Sequence, residues 1–192
     1  MTKQDISILA KEDVLSLISK EWMLVTAGNK EKFNTMTASW GGIGFIWNKP
    51  VAFIFIRSER FTHEFIENNE RLTISFYGED YRKALQICGS KSGRDTDKVE
   101  ATGLTPVELE SGSMTFGEAR MTLDCKKLFK STMQEESFMD NEFFKKFYNS
   151  FFIIITRYMM NSQYWIQHKL YHLYKVKQHQ QQSVSMVSRK VF

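Results

Sequence analysis

Cysteine is scarce in this 192-residue chain: Cys88 and Cys125 are its only two, far apart and without C-x-x-C spacing. That excludes a zinc knuckle and a disulfide framework, and leaves two packed thiols as the expectation. Long apolar runs are missing as well. One such run, Phe151 to Ile155, stops at Thr156 and Arg157, well short of the roughly 18 residues a membrane helix needs. Asp5, Lys11, Glu12 and Asp13 stand where a secretory leader would be apolar, so a soluble, cytoplasmic protein with no membrane partner is expected. Before residue 151 there is a single histidine, His63, which leaves little material for acid–base chemistry and reads as a surface histidine. Acid is absent from residues 143–192, which hold eight basic side chains. Residues 1–142 then carry 18 basic against 22 acidic groups, so the net charge of +4 comes from the tail. It says little about what the body binds, and no nucleic-acid partner is expected.

What is present is 42% hydrophobic and 14% aromatic, enough for a core and incompatible with global disorder. Trp22 to Ala27 is a strand-like run closed by the turn dipeptide Gly28-Asn29. A Thr-rich stretch, Asn34 to Trp40, and a glycine-rich one, Gly41 to Trp47, follow. After a break at Asn48-Lys49-Pro50, Val51 to Ile56 is apolar at every position, as in a strand covered on both faces. The pattern predicts a helix capped by Thr62 and ending near Asn69, a strand over Leu72–Tyr77, and a helix over Asp80–Cys88 stopped by Gly89. A polar loop, Ser90 to Asp97, leads into a short helix ending at Gly103, and residues 114–129 hold a strand pair at most. Strands outnumber helices and connections are short, so the expected fold is mainly β, a barrel with a few short helices.

Three polar clusters interrupt these strands: Asn34–Trp40, Arg57–Thr62 and Ser90–Lys98. Singly, each reads as a Thr-rich strand, a solvated strand end or an ordinary loop. Together they supply hydroxyls, an amide and a large aromatic, then Arg57, Arg60, Lys91, Arg94 and Lys98 with hydroxyl partners. An anionic ligand with a flat ring would use that set, cations for a phosphate and Trp40 for the apolar face. Gly41-Gly42-x-Gly44 opens no helix, so it reads as room for strands to bend or approach closely, not as a dinucleotide turn.

These same residues resemble a known family. Asn34-Thr-Met-Thr-Ala-Ser-Trp40-Gly-Gly, Asn48-Lys-Pro-Val-Ala-Phe53 running on to Arg57-Ser-Glu-Arg60-Phe-Thr62, and Cys88-Gly-Ser-Lys-Ser-Gly-Arg94-Asp-Thr-Asp-Lys98 look like the flavin reductase-like proteins of the FMN-binding split-barrel group, most like its flavoredoxin branch. The likeness spans roughly Trp22 to Phe129. It implies a split β-barrel and a homodimer with FMN near the subunit interface. By matched motif, Asn34, Thr35, Met36, Thr37, Ala38 and Ser39 would contact the ring and ribityl chain, with Trp40 beside the ring. Arg57, Arg60, Thr62, Ser90 and Lys91, with Arg94 and Lys98, would hold the phosphate. The implied activity is electron transfer from NADH or NADPH through FMN to a flavin or other acceptor, with no catalytic side chain and no metal. The alternatives are a flavoredoxin-like carrier that does not oxidise NAD(P)H, and a cofactor-free remnant.

Beyond Tyr148 the chain lacks Asp, Glu, Gly and Pro, and it carries the tract Gln178-His179-Gln180-Gln181-Gln182. The expected division is therefore a domain over 1–150 and an atypical basic tail over 151–192. An out-of-frame tail explains the change. Read one base earlier, the codons of Ile153-Ile154-Ile155 give Tyr, His or Asn, and those of Met159-Met160-Asn161 give Asp and Glu. The rival is a genuine basic, Gln-rich extension. On the first reading the last barrel strand is lost and a sheet edge is left open.

Overall fold

A computed structural model describes residues 2–5, 9, 11–148 and 155–166. Its main sheet is antiparallel throughout, in the order β3-β2-β6-β9-β10-β5-β4. The strands are β2 (Met23–Gly28), β3 (Phe33–Ala38), β4 (Gly41–Ile46), β5 (Lys49–Arg57), β6 (Arg71–Phe76), β9 (Met121–Thr132) and β10 (Ile155–Ile166), with β1 (Thr2–Gln4) added beside β10. A small separate pair joins β7 (Pro106–Glu108) to β8 (Met114–Phe116). The short helices are α1 (Val14–Ser16), α2 (Phe61–Asn68), α3 (Arg82–Ser90), α4 (Lys98–Thr102) and α5 (Asn141–Tyr148). The chain is thus mainly β with a few short helices, as expected.

One apolar cluster joins residues from strands far apart in the sheet: Val25 and Ala27 of β2, Ile54 and Ile56 of β5, Ile74 and Phe76 of β6, and Leu123 of β9. A flat sheet cannot bring these onto one core, so the sheet curls around it. Met121, Leu123 and Cys125 of β9 join this core, and Thr122 and Asp124 between them are buried as well, so the start of β9 is covered on both faces. The segment before β2 is anchored by a buried cation. Arg120, 2% exposed, reaches Glu21 at 2.7 Å and Glu12 at 3.5 Å, locking the turn before β2 onto the start of β9.

The connection between β4 and β5 is a two-residue hairpin in which Trp47 and Asn48 both have positive φ, 53° and 54°, as type I′ turns require. The break therefore falls one step earlier than expected, and β5 starts at Lys49. Gly42 faces Phe53 across this hairpin, and a Cβ there would meet the Phe53 ring at 2.4 Å. The glycine lets a neighbouring aromatic lie over β4, which is a strand-packing use and not a ligand approach. Residues 155–166 run as β10 between β9 and β5, so those two strands are not left unpaired. The rest of the tail, and the question of its reading frame, lies outside the described residues.

Among the described residues no helix is long and apolar enough to cross a membrane, and no group of three or more His, Cys, Asp and Glu could hold a metal ion.

Candidate functional site

Two clefts meet where β3, the end of β5 and helices α2 and α3 converge. The larger, about 500 Å³, is lined by Met36 to Trp40, by Phe55, Arg57 and Arg60, by Leu85, Gln86, Gly89 and Ser90 of α3, and by Trp22. The smaller, about 150 Å³, is lined by Asn34, Met36, Glu59, Arg60, Phe61, Thr62, Ser90, Lys91, Ser92, Gly93 and Lys98. Met36, Arg60 and Ser90 line both, so the two spaces share a wall and form a wide apolar chamber with a narrow cationic annex. A third cleft, about 410 Å³, lies behind Asn34, Gly93 and Lys98 and is bounded by Lys32, Arg94 and Asp97 among others.

Local structure fixes each group. Arg60 precedes α2, and its Nη2 donates to the Gly89 carbonyl at 2.7 Å, near the end of α3, which sets the guanidinium at the seam. Burial, followed by the nearby Arg57 charge, lowers its pKa. Thr37 Oγ1 donates to the Leu85 carbonyl at 2.5 Å, binding β3 to α3 below the large cleft. Ser90 Oγ donates to Gln86 O at 2.8 Å. Lys91 is exposed at the annex.

Several residues sit otherwise than expected. Thr62 does not cap α2; the cap position is Arg60, and the buried Thr62 hydroxyl accepts from Asn34 Nδ2 at 2.8 Å. Asn34 therefore lines the cationic annex and not the apolar chamber. The Thr35 side chain turns into the protein, where its hydroxyl meets Thr26 Oγ1 at 2.9 Å and the Val25 carbonyl at 3.2 Å, because successive strand residues face opposite ways. Arg94 lines only the third cleft; its guanidinium pairs with Glu64 and lies over the Phe61 ring, 4.7 Å from its centroid. Lys98 is buried and donates to Thr35 O at 2.7 Å and Cys88 O at 3.0 Å, so it ties the start of α4 to β3 and α3 while bordering the annex. Burial lowers its pKa.

Sequence reading missed Trp22, Phe55, Leu85 and Gln86 as cleft residues. Trp22 ends the strand-like run on its N-terminal side and has φ 66°, a rare backbone state for a bulky side chain. Leu85 and Gln86 come from α3, whose apolar face points at the core and gave no ligand signal. His63 lines none of the three clefts. Cys88 is buried, and burial pushes its thiol up to about 11, so it stays neutral at physiological pH.

Comparison with known proteins agrees with this architecture. The flavin reductase like domain profile matches residues 15–136. Flavoredoxin of Desulfovibrio vulgaris (Miyazaki F) superposes with TM-score 0.60 at 21% identity, covering 77% of this chain and 70% of that one. An FMN-binding domain of a flavin reductases-like enzyme from Shewanella baltica OS155 gives TM-score 0.60 at 18% identity, covering 86% and 76%. The NADH:FAD oxidoreductase of Streptomyces globisporus C-1027 gives 0.58 at 13%, covering 77% and 75%. No curated protein sequence matches the chain. The profile match over most of the chain and the shared fold place this protein in the flavin reductase-like domain family.

Proposed function

We propose that the joined clefts hold FMN and that the protein is a flavin-dependent oxidoreductase, taking electrons from NADH or NADPH and passing them to a free flavin or another acceptor. One observation carries the reading: a wide apolar chamber opens through Arg60 into a small annex bordered by cations and hydroxyls. A flat ring with an anionic tail fits that pair of spaces, and a purely apolar ligand does not. Relatives named for FMN binding and for NADH:FAD oxidoreduction support it.

On this reading Arg60 and Lys91, with the Ser90 hydroxyl, would hold the phosphate, and Thr62 would set the annex wall through Asn34. Met36, Trp40 and Phe55 would supply apolar surface, and Thr37, Ser39 and the β3 backbone the polar ring edge. Bound FMN would supply the redox chemistry, hydride acceptance and onward electron transfer. The chain's share is to bind, orient and keep water from the reacting face. No side chain is assigned as acid or base, since His63 lies off the clefts and Cys88 is neutral. The homodimer belongs to the same proposal: edge strand β4 and its hairpin expose Phe45 (72%) and Trp47 (54%), and Trp40 (43%) is exposed at the other end of that strand, apolar surface that a second copy would cover.

The test is the purified protein's absorption spectrum, followed by anaerobic stopped-flow mixing with NADH and with NADPH. A yellow protein bleached rapidly by either donor is expected. Bleaching by a reduced protein donor alone would replace the reductase with an electron carrier, and a colourless protein that takes up no FMN would overturn the reading.

A further inference from the structure

A Cβ built on Gly93 would stand 2.1 Å from Asn34 Oδ1 and 2.9 Å from Asn34 Cγ, far inside van der Waals contact. Its third-nearest neighbour is Nδ2 of the same side chain at 3.2 Å, so the clash is with the Asn34 amide. Yielding would cost Asn34 the hydrogen bond that its Nδ2 donates to the buried Thr62 hydroxyl at 2.8 Å. The strand beneath is held in turn by Lys98, whose ammonium donates to the Thr35 carbonyl at 2.7 Å. The Asn34 amide is thus pinned between α2 and the loop that carries Gly93.

We propose that Gly93 is a positioning residue for the cationic annex: its lack of a side chain lets the loop close on Asn34, and that contact sets the width of the space and the preference for a flavin bearing a phosphate. The role rests on the FMN reading given above. A side chain at 93 has two ways to be accommodated. Either the amide swings off Thr62 and takes volume from a space of only about 150 Å³, or the loop moves outward and carries Lys91 and Ser92 with it. Both damage the phosphate end. The ring chamber's own lining includes neither Asn34 nor Gly93.

The test titrates FMN and riboflavin into the wild type, Gly93→Ala, Asn34→Ala and the double variant. Gly93→Ala is expected to weaken FMN roughly ten- to hundredfold, the scale of a lost charged hydrogen bond, and to leave riboflavin within about twofold. In the Asn34→Ala background the same change should do little, because the clash is gone. Equal loss for both flavins, no loss, or a full effect without Asn34 would each overturn the role. If Gly93→Ala fails to fold, the melting temperature of the double variant decides: recovery to the Asn34→Ala value supports the pinning, and no recovery refutes it. A wild type that binds neither flavin sinks the FMN reading, and this role with it, a result distinct from all of these.

Discussion

The Arg82 guanidinium lies over the Trp22 ring, its carbon 4.4 Å from the ring centroid, and the same group donates to the Lys20 carbonyl at 2.7 Å and to Glu79 at 2.8 Å. Trp22 holds a positive φ of 66° where the turn before β2 ends, and it lines the larger cleft. A strained backbone at a cleft wall persists only where its surroundings over-determine it, and Arg82 is the clamp. Replacing Arg82 with Ala is expected to cost about 1–2 kcal/mol through the lost stack and hydrogen bonds. Thermal melting reads the cost, and a red shift of tryptophan emission reads the release of the indole.

The cations near the annex should separate by environment. Arg60, anchored on Gly89 and shared by both clefts, is expected to matter most, with Arg60→Gln weakening FMN by roughly ten- to hundredfold. Arg94, already paired with Glu64 and lining only the third cleft, should change affinity less than about threefold on replacement by Ala. Isothermal titration with FMN ranks the two, and the reverse order would reassign the phosphate end.

Thr35 and Thr37 stand two apart on β3 yet should behave differently. Thr35→Val removes a buried hydroxyl bonded to Thr26 and is expected to destabilise the fold by about 1–2 kcal/mol with flavin affinity unchanged. Thr37→Val frees the Leu85 carbonyl in the floor of the larger cleft, so flavin affinity should fall along with stability. Denaturant unfolding and flavin titration on the same preparations give both numbers.

Both thiols should be silent in the native state. Cys88 and Cys125 are buried, and burial raises both pKa values, that of Cys88 to about 11. A group whose folded pKa is raised contributes stability that is complete below its unfolded value of 9.0 and is lost as pH rises toward the folded one. Stability should therefore fall between pH 9 and 11, with a shallower slope in Cys88→Ala. A thiol reagent at pH 8 should label neither cysteine until the protein is unfolded, and prompt labelling would contradict the packing.

Removing residues 151–192 deletes β10 from the middle of the sheet and leaves β5 and β9 facing each other unpaired. The truncated chain is expected to be insoluble or to self-associate through those strands, as size-exclusion chromatography would show. A monomeric, soluble truncation would mean that the barrel closes without this strand. Sequencing the encoding DNA on both strands separately tests the reading frame of the tail.

Hydrophobic patterning was enough to place most strands, because a side chain's face on a strand follows from parity and the core enforces it. The run Val51–Ile56, which falls within β5, is a clear case. The three polar clusters were legible for a related reason: polar residues at the ends of apolar strands need a use. Helix ends were less legible. Thr62 has the chemistry of a cap, but its hydroxyl is occupied by Asn34, a partner 28 residues earlier in the chain.

By itself, then, the sequence determined the β-rich fold, the three stretches that converge and the classes of group they bring, because those depend on residue type and local period. The tertiary structure alone decided which groups face which space. It turned Thr35 inward, gave Arg94 to Glu64, moved Asn34 to the cationic annex and added Trp22 and α3 to the wall. Those assignments rest on contacts between residues far apart in the chain, and the closeness of Gly93 to Asn34 is the sharpest of them. No local pattern carries that information, since a glycine in a polar loop reads the same whether or not a neighbour occupies the place of its missing side chain.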